Sequence, residues 1–240
     1  MLVKLFILGR PGSGKSSAAR IIATIARCRG WNTTHINDYD ILKEMAQADT
    51  AHKNFRQTEH GGFDVQDFSV LDIALKDVEK RAQHRSLEQD TLVIIEFARD
   101  DYSKALKWFS SGFLQDAYFL FMHLDLDTCI QRIQKRITYT YTDPPISDNH
   151  YVSEEIVRGY YQMDNRQYIK DSLKTDYSIM KLIRIIDNSA SWLELRDNVL
   201  HFVDIIFWQE SGGSKLISSH ISWPLLLLKG NRELQEFDHI

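Results

Sequence analysis

Cysteine and proline are scarce in this chain, with two Cys and four Pro among 240 residues. Cys28 and Cys129 stand without C-x-x-C spacing, which argues against a zinc site or a disulfide framework and predicts two buried, reduced thiols. Positive charge is also in short supply. With 29 Lys+Arg against 33 Asp+Glu the formal net charge is −4, so no global positive field recruits long nucleic acid. Long apolar runs are missing as well: "WPLLLLKG" (223–230) falls far short of the roughly 20 residues that span a bilayer. The opening "MLVKLFILG" is too short to read as a signal peptide. The expectation is a cytoplasmic protein with no membrane attachment.

What is present is a large apolar fraction, 43% of the residues, arranged in short blocks. Runs at Leu2–Leu8, Thr33–Asn37, Thr91–Phe97, Ala117–Leu124 and Lys181–Ile186 are apolar continuously rather than alternately. That is the pattern of parallel strands covered on both faces. Helical periodicity lies between them, clearest over Ser69–His84, where Val70, Leu71, Ala74, Leu75 and Val78 share a stripe. The alternation predicts an α/β doubly wound sheet. Two connections are long: 43–68, with "EHGGFDVQDF", and 138–152, "TYTYTDPPISDNHYV". Long loops in compact domains often bind or close over ligands. After Trp208 a Gly/Ser stretch begins a segment that fits no further strand–helix unit. We therefore expect a domain over 1–207 and an extension of unassigned role over 208–240.

The first strand runs into Gly9-Arg10-Pro11-Gly12-Ser13-Gly14-Lys15-Ser16, which satisfies G-x-x-x-x-G-K-[ST] at every fixed position. A strand precedes it and a helical pattern follows, the context in which this loop cradles phosphates. The nucleotide-binding set is Gly9, Pro11, Gly12, Ser13, Gly14, Lys15, Ser16 and Ser17. Lys15 should meet the β- and γ-phosphates and Ser16 should offer its hydroxyl to Mg²⁺.

Other groups gather at the carboxyl ends of the predicted strands, where parallel sheets bind ligands. Glu96 ends "TLVIIE" and can hold Mg²⁺ or accept a proton. Arg99 can neutralise a phosphate. "HINDYDIL" ends the second strand, with Asp38 read as the group that orients an acceptor or takes its proton and Asp40 as a helix cap. Arg132 and Arg136 are four apart, on one helical face before the Tyr/Pro loop, placed to close on a triphosphate. Phe63 in "HGGFDV" offers a stacking face to an acceptor; a plain turn serves equally well there. Seven of the ten tyrosines fall between Tyr139 and Tyr177. The segment 128–170 carries six Lys/Arg against five Asp/Glu, too balanced for a phosphate-tracking groove.

On "GRPGSGKSS", "QRIQKR", "EFAR" and "EEIVRGYYQM" the chain resembles P-loop kinases of the nucleoside monophosphate kinase type, adenylate-kinase-like enzymes in particular. The resemblance covers Leu2 to about Ile206. It implies a three-layer P-loop NTPase fold with a five-stranded parallel sheet, an acceptor-binding segment at 38–68 and a lid at 138–152. It also implies ATP and Mg²⁺ as cofactors and a small-molecule phosphate acceptor as partner. By the same resemblance Arg132 and Arg136 take the lid-hinge places, Arg158 that of a phosphate-contacting arginine, and Arg99 that of the arginine holding the acceptor phosphate. Glu96 stands where that family has aspartate, and the lid lacks cysteines. "HINDYDIL" looks more like kinases that phosphorylate a hydroxyl. The expected function is therefore phosphotransfer from Mg·ATP to a nucleotide or nucleoside-type metabolite. A hydroxyl kinase for another small molecule or polynucleotide end is the alternative, and a nucleotide-binding switch or regulatory ATPase is the alternative of another class. Oligomeric state is left open.

Overall fold

The computed structural model describes residues 1–58, 62–83, 90–139 and 152–212, the side chains of 136–139 excepted. Met1–Val203 form one compact unit and Asp204–Ile240 a second. The lid segment and most of the C-terminal extension lie outside the described residues, as do His60 and Gly61 of "HGGFDV".

Five parallel strands form the sheet: β1 (Leu2–Leu8), β2 (Asn32–Asn37), β5 (Thr91–Phe97), β6 (Ala117–His123) and β7 (Ile183–Asp187), in the order β2-β5-β1-β6-β7. β5 is buried at all seven positions and β6 at six of seven, as continuous apolar runs in a doubly covered sheet require. The register sets Ile7 of β1 and Asn37 of β2 both opposite Glu96 of β5. The strand ends therefore reach one edge of the sheet together. Among the covering helices are α1 (Lys15–Cys28), α2 (Asp38–Ala48) and α3 (Ser69–Gln83), followed later by α6 (Leu126–Tyr139). Short helices α4 (Tyr102–Ala105) and α5 (Ser111–Gln115) precede β6, and α10 (Trp192–Glu210) follows β7. No helix among the described residues is long and apolar enough to cross a membrane.

Several local features differ from the sequence expectations. The connection at 43–68 contains an antiparallel hairpin, β3 (Phe55–Gln57) with β4 (Phe63–Val65). Asp49 starts it by accepting backbone N–H bonds from Asn54 at 2.7 Å and Phe55 at 3.1 Å. Asp40 does not cap α2. Asn37 does, its side-chain oxygen accepting from the Tyr39 N–H, while Asp40 sits exposed in the first turn. After Ser153 the chain forms two short helices, α7 (Glu154–Tyr160) and α8 (Arg166–Asp171), joined to β7 through α9 (Leu173–Asp176). The break at 161–165 arises because three backbone carbonyls there accept from Arg10 and because Asn165 is drawn to the backbone of 100–102. Cys129 is buried as expected, but Cys28 is exposed at the last turn of α1.

Phe6 anchors the aromatic part of the core. Its ring stacks on Phe119 at 4.9 Å and meets Phe97, Phe109 and Phe113 edge-on. It has no exposed surface, so Phe6→Ala opens a cavity among rings that cannot collapse into it. We expect a loss of about 3–5 kcal/mol in equilibrium urea unfolding. A loss below about 1 kcal/mol contradicts this packing.

Candidate active site

The loop from Gly9 to Lys15 leaves β1 and turns into α1 through backbone that side chains resist. Gly9 has φ +146° and Gly12 has φ +80°. A Cβ would stand 2.5 Å from the Met122 carbonyl oxygen at the first position, and 2.6 Å from that of Cys129 at the second. Glycine is thus required by contact as well as by conformation. The N-cap of α1 is Gly14, which makes no side-chain cap, and the first turn holds no acid. Its amide N–H groups and helix dipole are left to an anion.

Lys15 is buried, and its Nζ donates to the Arg10 carbonyl at 2.9 Å. The Ser16 hydroxyl donates to Glu96 Oε1 at 2.7 Å, and His35 Nε2 lies 3.0 Å from Glu96 Oε2. Burial pushes the Glu96 carboxyl up, but the His35 hydrogen bond, the Lys15 charge and the Ser16 hydroxyl outweigh it and hold it below the ordinary range. Hydroxyl and carboxylate are the hard oxygen donors that Mg²⁺ prefers, so the pair fits the ion. Among the described residues no group of three or more His, Cys, Asp or Glu could hold a metal ion.

A cleft of about 920 Å³, open mouth included, lies along the carboxyl edge of the sheet. The loop lines it through Pro11, Gly12, Gly14, Lys15 and Ser16, together with Glu96. Asp38, Arg99, Tyr39, Phe63 and Phe68 line it as well. Asp38 and Arg99 are both buried and form a direct ion pair, with Arg99 also donating to the carbonyls of Ala98 and Leu71. Burial pushes the Asp38 carboxyl above its ordinary value although the Arg99 charge opposes it. Arg99 stays firmly charged because Asp38 outweighs the cost of its burial.

Pro11, Gly12, Gly14, Lys15, Ser16, Asp38, Glu96, Arg99 and Phe63 therefore meet in one cleft. Gly9, Ser13 and Ser17 support the loop without lining it: the Ser13 carbonyl accepts from Asn188 Nδ2 at 2.9 Å. Arg132 is turned to the Asn188 carbonyl, 2.9 Å away, and does not line the cleft. The Arg136 side chain lies outside the described residues. Arg158 departs from its expected place: it is engaged on the surface with Glu154 at 2.7 Å and Asp127 at 2.9 Å, two acids that neutralise it.

Four supporting residues escape the sequence reading. Tyr102 is buried, and its hydroxyl accepts from the Gly9 N–H at 2.7 Å and faces the Phe97 carbonyl at 3.1 Å. Arg10 donates to the carbonyls of Leu124, Tyr161, Gln162 and Met163. Asp64 is buried on β4 and paired with Arg56 at 3.0 Å, and His35 orients Glu96. Tyr102 and Arg10 belong to no motif position, because each acts on backbone that only the fold brings near. Asp64 in a short polar hairpin and His35 in a strand carry a signal only in being polar where burial follows.

The AAA domain family model matches residues 8–149. No curated protein matches the chain. Among solved structures, a gluconokinase from Sinorhizobium meliloti 1021 is 14% identical, covering 86% of this chain and 97% of its own, at a TM-score of 0.43. A shikimate kinase from Acinetobacter baumannii in complex with shikimate is 10% identical over 87% and 95%, at 0.47. Chaetomium thermophilum Kti12 in complex with ADP-AlF3 is 12% identical over 84% and 97%, at 0.49. Likeness at this level carries no argument about chemistry, which rests on the site itself.

Tyr102→Phe leaves the buried Gly9 N–H unsatisfied. It should cost about 1–3 kcal/mol in urea unfolding and weaken nucleotide binding measured by calorimetry. Unchanged stability and affinity would show that the hydroxyl does not hold the loop.

Proposed function

The chain belongs to the AAA domain family and has a P-loop kinase-like fold, and from that premise we propose that it is an ATP-dependent phosphotransferase acting on a small nucleotide or nucleoside-type acceptor. The observation that carries the reading is one cleft lined both by the phosphate loop and by a buried carboxylate, Asp38. The loop amides and Lys15 hold the transferred phosphoryl group, and Asp38 orients the acceptor oxygen. As that oxygen attacks the γ-phosphorus, its proton passes to an Asp38 carboxylate oxygen and the bond to the β–γ bridging oxygen breaks, releasing ADP. Ser16 and Glu96 are the residues that would hold Mg²⁺, which when bound neutralises phosphate charge. In this reading residues 1–207 are the kinase domain, 38–68 its acceptor segment, 138–152 its lid with Arg132 and Arg136 at the hinge, and 208–240 an appended extension.

The test follows labelled γ-phosphate from Mg·ATP, separated by product. Lys15→Ala should lower turnover about 10²–10³-fold, the scale of one preorganised charge. Asp38→Asn should lower it about 10²–10⁴-fold while ATP binding persists. Slow release of inorganic phosphate with no labelled organic product is the outcome that would favour a regulatory ATPase.

A base must be ionised to accept a proton, so kcat should rise with pH through the Asp38 value. That acid limb should lie above the ordinary aspartate value of 3.8, because burial raises this group. The limb should vanish in the residual activity of Asp38→Asn. Its survival there would assign it to another group.

A further inference from the structure

The Asp38 part of the cleft is built for a flat, uncharged molecule. Two aromatic pairs shape it: Tyr39 stacks on Phe63 at 5.3 Å with rings 3° apart, and Phe68 stacks on Tyr160 at 4.4 Å and 13°. Tyr39, Phe63 and Phe68 line the cleft itself, and Phe63 and Tyr39 keep part of their surface open to it.

The charges there are already matched to one another. Asp38 is paired with Arg99 and Asp64 with Arg56, both carboxylates being buried. Both Nη atoms of Arg99 donate within the protein, to Asp38, Ala98 and Leu71. Its Nε is buried beyond solvent reach with no partner, so a ligand in the cleft does not meet it. Among the described residues, Arg10 is committed to four carbonyls and Arg158 to Glu154 and Asp127.

A phosphate or carboxylate on the acceptor would thus enter beside two buried carboxylates and would have to strip a guanidinium from one of them. Removing one partner of a buried pair leaves an uncompensated charge, which is strongly unfavourable. A neutral hydroxyl needs no such exchange, since Asp38 can accept its proton as a hydrogen bond without leaving Arg99.

We propose that the acceptor is an uncharged nucleoside, bound by its flat base against the Tyr39–Phe63 and Phe68 rings and presenting a sugar hydroxyl to Asp38. This rests on the kinase reading above and narrows it against nucleoside monophosphates. The attacking hydroxyl gives its proton to Asp38, its oxygen bonds to the γ-phosphorus, and ADP departs, yielding a nucleoside monophosphate. Ring stacking against a base is tolerant of base identity, so several bases are accepted.

The experiment offers the full chain Mg·[γ-³²P]ATP with each of four common nucleosides, their 5′-monophosphates and a set of hexoses. The expected result is labelled nucleoside monophosphate, with kcat/KM at least tenfold above that of the matching monophosphate acceptor. Phe63→Leu, which keeps an apolar side chain in place, should raise the nucleoside KM roughly tenfold, a modest share of what a stacked ring contributes, while the KM for ATP stays. Equal or better use of the monophosphates overturns the charge argument and leaves the kinase reading standing. Transfer to hexoses alone overturns the flat-base argument and likewise leaves a kinase. Inorganic phosphate as the sole product with every acceptor overturns the kinase reading, and this proposal with it.

Discussion

Parallel pairing of β1 with β5 and of β5 with β2 is the constraint on which the site depends. Because Ile7 and Asn37 both face Glu96 across the ladder, three chain segments leave the sheet at one height. The residues after those positions are the phosphate loop, Asp38 and Arg99. A slip of one residue in either pairing would turn Glu96 from the Ser16 side of the sheet to the opposite face. The apolar content of β1 and β5 makes such a slip between them costly on both faces, so core packing sets the geometry of the polar edge.

The cleft at that edge is lined by three buried carboxylates, Asp38 and Glu96 from the sheet edge and Asp64 from the β3–β4 hairpin, and each is answered locally. Glu96 has the Ser16 hydroxyl and His35, Asp38 has Arg99, and Asp64 has Arg56. An unanswered charge at such depth would shift its proton equilibrium or unfold its surroundings. The answers differ in kind. Glu96 meets a hydroxyl and an imidazole, one at each carboxylate oxygen. Asp38 and Asp64 meet guanidinium groups, and their charge is balanced within the protein.

Backbone carbonyls receive much of the remaining polar structure. Arg10 reaches four of them, Lys15 and Arg132 one each, and Tyr102 binds the backbone on both sides of the β5–β1 crossing. Arg10 ties the phosphate loop to the segment between α7 and α8, whose Tyr161 lines the cleft.

The strands were legible in the amino-acid order because a doubly covered parallel strand must be apolar without interruption, and β1 and β5 were placed to the residue. The phosphate loop was legible because its glycines, lysine and serine are needed at a fixed spacing along one short segment. So was the convergence of Asp38, Glu96 and Arg99, since each lies at or just past the carboxyl end of a strand. The hairpin at 55–65 was not, since three-residue strands carry too little periodicity. Nor was the capping of α2 by Asn37, where Asn37, Asp38 and Asp40 all have the chemistry for it. The sequence by itself determined the fold class and the phosphate-loop motif, both of which depend on near neighbours in the chain. Only the tertiary structure decided that Arg99 answers Asp38, that Arg158 is taken up at the surface and that Tyr102 holds Gly9. Those pairings join residues 31 to 93 positions apart, and folding alone chooses among the charges and carbonyls available to each.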